Sequence, residues 1–261
     1  MCKRAIYYSV ILSIVTLSIR AYGTRNTWAI LVSTSRFWFN YRHGANILSV
    51  YHTIKRLGIS DSNIILMLAD DFACNPRNIY PSTILSDVND KNGFNAYDKE
   101  MEVDYRGDEV TVGIFLDVLT GRHASHVSKR KRLQTDNNSN ILIYLSGHGG
   151  EGFLKFQDSE VLSSQVLAEV FHEMHTQERY YEILLIFETC RAESMIKYLH
   201  EKNIFSIASS SYHENSASSQ RSQKLGVFVI DEFTAAMLRF FELIDQFSSL
   251  TLADFVSFLA K

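Results

Sequence analysis

Residues 28–33, 64–69, 141–145, 183–187 and 204–208 are short apolar runs almost free of polar alternation. A strand of that kind is apolar on both faces and must be covered on both. The segments between them have a different period. Over residues 45–57 the apolar positions are Ile47, Val50, Tyr51, Ile54 and Leu57, which is helical spacing, and Gly58 follows as a stop. Residues 110–119 and 164–175 read as further helices, the latter opened by a serine cap. Helices over 231–247 and 252–261, the last capped by Thr251, close the chain. Doubly buried strands alternating with helices predict an α/β fold, a mainly parallel sheet between two helical layers.

Composition agrees with one folded unit. The chain has 261 residues, 46% of them hydrophobic, with 2 prolines and 12 glycines, which excludes a disordered polymer. A net charge of −3 argues against a polyanion as partner, so no nucleic acid is expected. The basic run Lys129-Arg130-Lys131-Arg132 precedes a polar stretch and reads as a solvated loop.

Residues 1–23 read differently from the rest. Lys3-Arg4 precedes a mostly apolar stretch over 5–19, and Ala21-Tyr22-Gly23 offers small residues before a cut. This is the pattern of a secretory signal peptide, with an uncleaved anchor as the alternative. The folded domain is then 24–261, in an oxidising compartment where Asn137-Asn138-Ser139 is a usable glycosylation sequon.

The candidate chemistry sits where two apolar strands end. His148 stands in Ser146-Gly147-His148-Gly149-Gly150 just past one strand, and Cys190 lies just past another. With one helix between those strands, a right-handed crossover brings both to the carboxyl edge of the sheet, where such folds bind ligands. A thiol with an imidazole beside it suits nucleophilic catalysis on a carbonyl. The Gly149 and Cys190 N–H groups are candidates for an oxyanion hole, and the glycines are expected to leave room for the substrate carbonyl. No cofactor is required for that chemistry. Glu102 and Asp104, two apart in an extended segment, share one side; with Asp61 they could hold a calcium ion, or form a solvated acidic edge. His172 and His175 have the wrong spacing for a zinc helix and read as a polar face. Phe37-Trp38-Phe39 reads as core or subunit packing rather than a lipid-facing patch.

The blocks "TWAILVSTSRFWFNYRHGANILSVYHTIKRLGI", "LMLADDFACNPRN", "EVDYRGDEVTV", "SNILIYLSGHGGEGFLKFQDSE" and "IFETCRAESM" carry a family resemblance. From about Trp28 to Phe240 the chain resembles the legumain-like cysteine peptidases of caspase-like fold. Within them it resembles the catalytic subunits of glycosylphosphatidylinositol (GPI) anchor transamidases. The resemblance implies an enzyme of the endoplasmic-reticulum lumen. Such an enzyme cuts a proprotein near its C-terminus, holds the new end as a thioester and passes it to the amine of a GPI lipid. It makes Cys190 the nucleophile, His148 the general base and Asn40 the residue that orients the histidine. It puts Arg42, Glu188 and Asp231 in the pocket for the residue before the scissile bond, although Asp231 equally suits a helix N-cap. It implies partner subunits, one of them disulfide-linked through Cys74, and it points to calcium at the acidic edge.

The chain departs from that pattern in two places. Arg191-Ala192-Glu193 follows the nucleophile where these transamidases have a small, glycine-containing tripeptide. The chain ends at Lys261, and the charges at Arg239, Glu242, Asp245 and Asp254 keep its last helices from spanning a bilayer, so membrane attachment is expected through partners. A free legumain-type asparaginyl endopeptidase and an inactive structural subunit of the same fold are the alternative readings.

Overall fold

The computed structural model describes residues 26–87, 95–98, 100–245 and 247–260. The leader expected over 1–23, with Cys2, lies outside them, as does Lys261. Strand β1 (Thr27–Ser33) buries every residue from Trp28 onward, as its unbroken apolar sequence requires. After it come α1 (Tyr41–Arg56), β2 (Ile64–Leu68), β3 (Tyr105–Arg106), α2 (Val112–Thr120) and β4 (Asn140–Ser146). A small hairpin sheet of β5 (Gly149–Gly150), β6 (Phe153–Phe156) and β7 (Glu160–Ser163) leads into α3 (Ser164–Thr176). The chain then forms β8 (Glu182–Glu188), β9 (Ile204–Ala208), β10 (Ser218–Arg221), β11 (Phe228–Asp231), α4 (Glu232–Glu242) and α5 (Leu252–Leu259).

The main sheet has the order β3-β2-β1-β4-β8-β9, and every pairing in it is parallel. From β1 the chain winds outward through β2 and β3, then returns to lay β4 on the other side of β1. The strand order therefore reverses between β1 and β4, which is where an open parallel sheet leaves a crevice at its carboxyl edge. The expected α/β sandwich is the fold observed.

Alternate strand residues serve two separate cores. Ala29, Leu31, Tyr144 and Ile186 face α1, α4 and α5, meeting Tyr41, Ile47, Met237 and Phe240. Ile30, Val32, Ile143 and Leu145 face α2, α3 and the small hairpin sheet, meeting Phe115, Phe171, Leu154, Phe156 and Leu162. Thr111, Ser163 and Thr251 cap α2, α3 and α5, each accepting a bond from a backbone N–H.

Two boundaries differ from expectation. Helix α1 begins a turn earlier than the apolar spacing suggested, because its first turn buries polar residues. Helix α4 ends at Glu242, and Asp231 belongs to strand β11. No helix among the described residues is long and apolar enough to cross a membrane.

Candidate active site

In the register of the sheet, Ser33 of β1 lies beside Ser146 of β4, which lies beside Glu188 of β8. His148 and Cys190 each follow their strand by the same two residues, so the two loops leave the sheet edge side by side. The Gly147 N–H donates to the Glu188 carbonyl at 3.2 Å and joins the loops at their base. A Cβ at Gly149 would run into the Thr189 hydroxyl and lie 2.8 Å from the Phe153 carbonyl oxygen and 3.3 Å from that of Cys190. One at Gly147 would collide with Thr34. The glycines are thus needed for loops to touch loops. Room for a substrate carbonyl, which the sequence suggested, is not their main use.

Asn40 caps the start of α1 without using its side chain there. Its amide nitrogen donates to the Arg36 carbonyl at 2.6 Å, which fixes the way the amide faces. The amide oxygen is then left to accept from His148 Nε2, at 2.7 Å. His148 therefore carries its proton on Nε2 and keeps a free lone pair on Nδ1. Burial, and after it the positive charge of Arg42, lowers the His148 pKa from its ordinary value of 6.5 and keeps the ring neutral. His43 packs edge-on against this ring at 5.0 Å and is itself held by Ser35 through Nδ1 at 2.9 Å.

Cys190 is a half-buried free thiol. Arg191 after it adopts a left-handed backbone, φ 53°, which turns the chain sharply into a short 3-10 turn (Ala192–Met195). The charged tripeptide is held by the Arg191 N–H on the Glu214 carbonyl, 2.8 Å, and the Ala192 N–H on the Ser210 hydroxyl, 3.0 Å. Ser194 ties it to the histidine loop by accepting from Gly152 N–H at 2.8 Å. The Lys155 N–H bonds the His148 carbonyl at 2.8 Å, so Gly149 takes the next, non-bonded position of that ladder with its N–H turned outward. Among the described residues, the Cys190 N–H has no hydrogen-bond acceptor either. Both expected oxyanion donors are open.

Beside the pair lies a buried polar network. Arg42 Nε meets Asp231 Oδ1 at 3.0 Å, and the Asn46 amide donates to Asp231 Oδ2 at 2.6 Å. Glu188 accepts from the Thr234 N–H at 3.1 Å, from the Thr234 hydroxyl at 2.8 Å and from the Ser216 hydroxyl. Burial raises the Glu188 pKa to about 8, with Asp231 adding to the rise. Burial also raises Asp231, opposed chiefly by Arg42. The structure thus brings Arg42, Asp231 and Glu188 together. Asp231 occupies the N-cap position of α4 but makes no side-chain cap bond, since its carboxylate turns to Arg42 and Asn46. Asn46, His43, Ser216 and Thr234 were not picked out from sequence. Arg42, His43, Asn46 and Ser49 do form a polar stripe on the inward side of α1, and that was the available signal.

The peptidase C13 family matches residues 27–256, nearly all of the folded chain. The chain belongs to that family. Among relatives of this C13 chain, the GPI-anchor transamidase of Saccharomyces cerevisiae is 51% identical over 88% of this chain and 55% of its own length. The GPI-anchor transamidase of Homo sapiens is also 51% identical, over 89% of this chain and 58% of its own. This C13 chain thus spans a little more than half the length of those curated relatives. Among solved structures, caspase-1 from Spodoptera frugiperda aligns with TM-score 0.49 at 11% identity, covering 91% of this chain and 79% of that one.

Away from the C13 site, the carboxylates of the acidic edge are met by basic side chains. Asp61 is bound by Lys55 at 2.7 Å and by the Tyr51 hydroxyl. Arg130 pairs with Glu102 and lies 3.5 Å from Asp104, which also accepts the Leu66 N–H at 2.9 Å. Lys55 and Arg130 already supply the positive charge, and among the described residues no group of three potential ligands is placed to hold a metal. His172 bonds Glu201 at 2.8 Å on the surface. Cys74 is exposed and free, its thiol pushed above its ordinary pKa chiefly by a hydrogen bond to Asp71. Contrary to core packing, Phe37 and Phe39 stack in solvent at 6.1 Å beside a cavity of about 390 Å³ shared with Asp70, Asn75 and Arg77. Trp38 alone turns inward, donating to the Leu225 carbonyl at 3.1 Å.

Proposed function

We propose that this chain is the catalytic subunit of a GPI-anchor transamidase. The observation that carries the reading is the Asn40–His148 bond of 2.7 Å, beside a free cysteine on the adjoining, in-register strand. The names of relatives at 51% identity support it. His148 Nδ1 takes the Cys190 proton, and the thiolate attacks the carbonyl of the residue held by Arg42, Glu188 and Asp231. The oxyanion is met by the Gly149 and Cys190 N–H groups. The His148 proton then leaves with the departing amine, and a thioester remains. An incoming amine on a GPI lipid attacks that thioester and gives its proton to His148. Arg42 brings N–H donors and Asp231 an acceptor carboxylate, which together suit a small polar side chain on the substrate.

The substrates on this reading are a proprotein C-terminal segment and a lipid amine. The chain works in the endoplasmic-reticulum lumen and meets the membrane through partner subunits, one linked to exposed Cys74. Mass spectrometry of the native assembly, incubated with a substrate peptide and a small amine, tests the chemistry. Peptide should be found on Cys190 as a thioester and then on the amine. Hydrolysis after asparagine by a free monomer would mean a legumain-type endopeptidase, and no thioester would mean an inactive structural subunit. Non-reducing electrophoresis tests the link: the chain should run in a heavier band that collapses with reductant or with Cys74→Ser.

A further inference from the structure

The buried network of Arg42, Glu188 and Asp231, the proposed pocket, lies toward α1 and α4, on one face of the sheet. On the transamidase reading, a substrate residue seated there with its carbonyl on Cys190 sends its departing segment toward the other face. That face carries the β5–β6 turn and the short turn after the nucleophile, whose Leu154, Ala192 and Met195 belong to the opposite core. On that reading the incoming acceptor takes the place of the departing segment on this side.

An exposed charged group stands on that side. Glu151 follows Gly149 and Gly150, the former in contact with the Cys190 backbone. Its carboxylate accepts from the Tyr212 hydroxyl at 2.5 Å and faces Arg191, the residue after the nucleophile, at 3.7 Å. The side chains of Arg191 and Glu151 are 44% and 57% exposed, so this is a loose ion pair open to exchange. Tyr212 holds the carboxylate in place while leaving its second oxygen for a cation.

We propose that Glu151 binds the acceptor: it holds the ammonium group of an incoming cationic amine, displacing Arg191, its resident counter-ion. This rests on the transamidase reading. In the step it serves, the ammonium gives one proton to water through the Glu151 carboxylate. The neutral nitrogen attacks the thioester carbon, so a C–N bond forms, the C–S bond breaks and the sulfur takes the electron pair. His148 accepts a second proton from nitrogen and returns it to the sulfur, giving an amide, the free thiol and one proton released. Arg191 sets the threshold, because a cation must compete with it for the carboxylate.

The test is a competition in the native assembly between methylamine, a cation at neutral pH, and hydroxylamine, which is largely uncharged. The ratio of the two products is read by mass spectrometry. Glu151→Gln should lower the methylamine share about fivefold and Arg191→Gln should raise it about twofold, the scale of one exposed charge contact. A ratio unchanged in Glu151→Gln, or moved in the same direction by both substitutions, overturns the assignment. If the unsubstituted assembly gives neither amine product, the transamidase reading itself fails.

Discussion

The two sides of Cys190 handle charge in opposite ways. Toward α1 and α4, Arg42 and Asp231 are 18% and 4% exposed, and Asn46, Thr234 and Ser216 satisfy what remains of the two carboxylates. Toward the β5–β6 turn, Arg191 and Glu151 meet in solvent, and Tyr212 steadies the Glu151 carboxylate. A buried pair cannot rearrange without leaving a bare charge in an apolar surrounding, so it holds one geometry. An exposed pair is worth little and opens easily. Selection of one residue calls for the first arrangement. A site that must release one group and admit another calls for the second.

That contrast can be broken in order of severity. Cys190→Ala or His148→Ala should lower transfer by about four orders of magnitude or more, since on the proposed mechanism both sides depend on the thioester. The assay is product formation by the native assembly, and measurable transfer at a tenth of the normal rate would remove the pair from the mechanism. Arg42→Ala strands Asp231 and should cost about 3 kcal/mol or more in pocket function, felt as a loss of kcat/KM of about 100-fold. A loss no larger than that from Arg191→Ala would erase the difference between the two sides.

Asn40→Ala frees the His148 ring and should lower kcat by about 100-fold with KM nearly unchanged, because orientation of the base matters only as the proton moves. A rise in KM alone would make Asn40 part of the pocket. The smallest effect is on stability. The Glu188 carboxyl, raised from 4.5 to about 8 in the folded chain, is protonated there while its unfolded counterpart is ionised. It contributes stability in full below pH 4.5, and the contribution is lost as the pH climbs toward 8. Glu188→Gln cannot ionise, so its Tm should rise relative to the unsubstituted chain by about 3 °C or more between pH 5 and pH 8. Parallel Tm curves would show that Glu188 is charged in both states.

Much of this was legible in the sequence for a simple reason. The strands β1, β2, β4, β8 and β9 are apolar on both faces, and a parallel sheet covered by helices on both sides hides such runs. His148 and Cys190 were legible because the same strands end just before them. The hairpins were not. β5 is two glycines and β10 is Ser218–Arg221, with no apolar period to read, and their pairing is decided by contacts with other elements. Asn46, Ser216 and Thr234 were hidden because ordinary polar residues matter here only through distant partners, Asp231 and Glu188. Glu102 and Asp104 show a different limit of the sequence. Their spacing advertises a cation, but nothing local reveals that Arg130 arrives from a loop to meet them.

The reversal of strand order between β1 and β4 has a consequence for how the chain matures. Asn40, His148, Cys190 and Asp231 come from four separate stretches, and each joins the edge only when its own strand or helix has docked. Contacts this far apart in sequence form slowly, because long loops must close before any of them is rewarded. A partly made chain that ends before β11 already contains the thiol and the imidazole but has no Asp231 to complete the pocket. Assembly of the sheet thus acts as a timing lock: on the proposed reading, the thiol and imidazole meet Asp231 only after β11, the last strand in chain order, has been made.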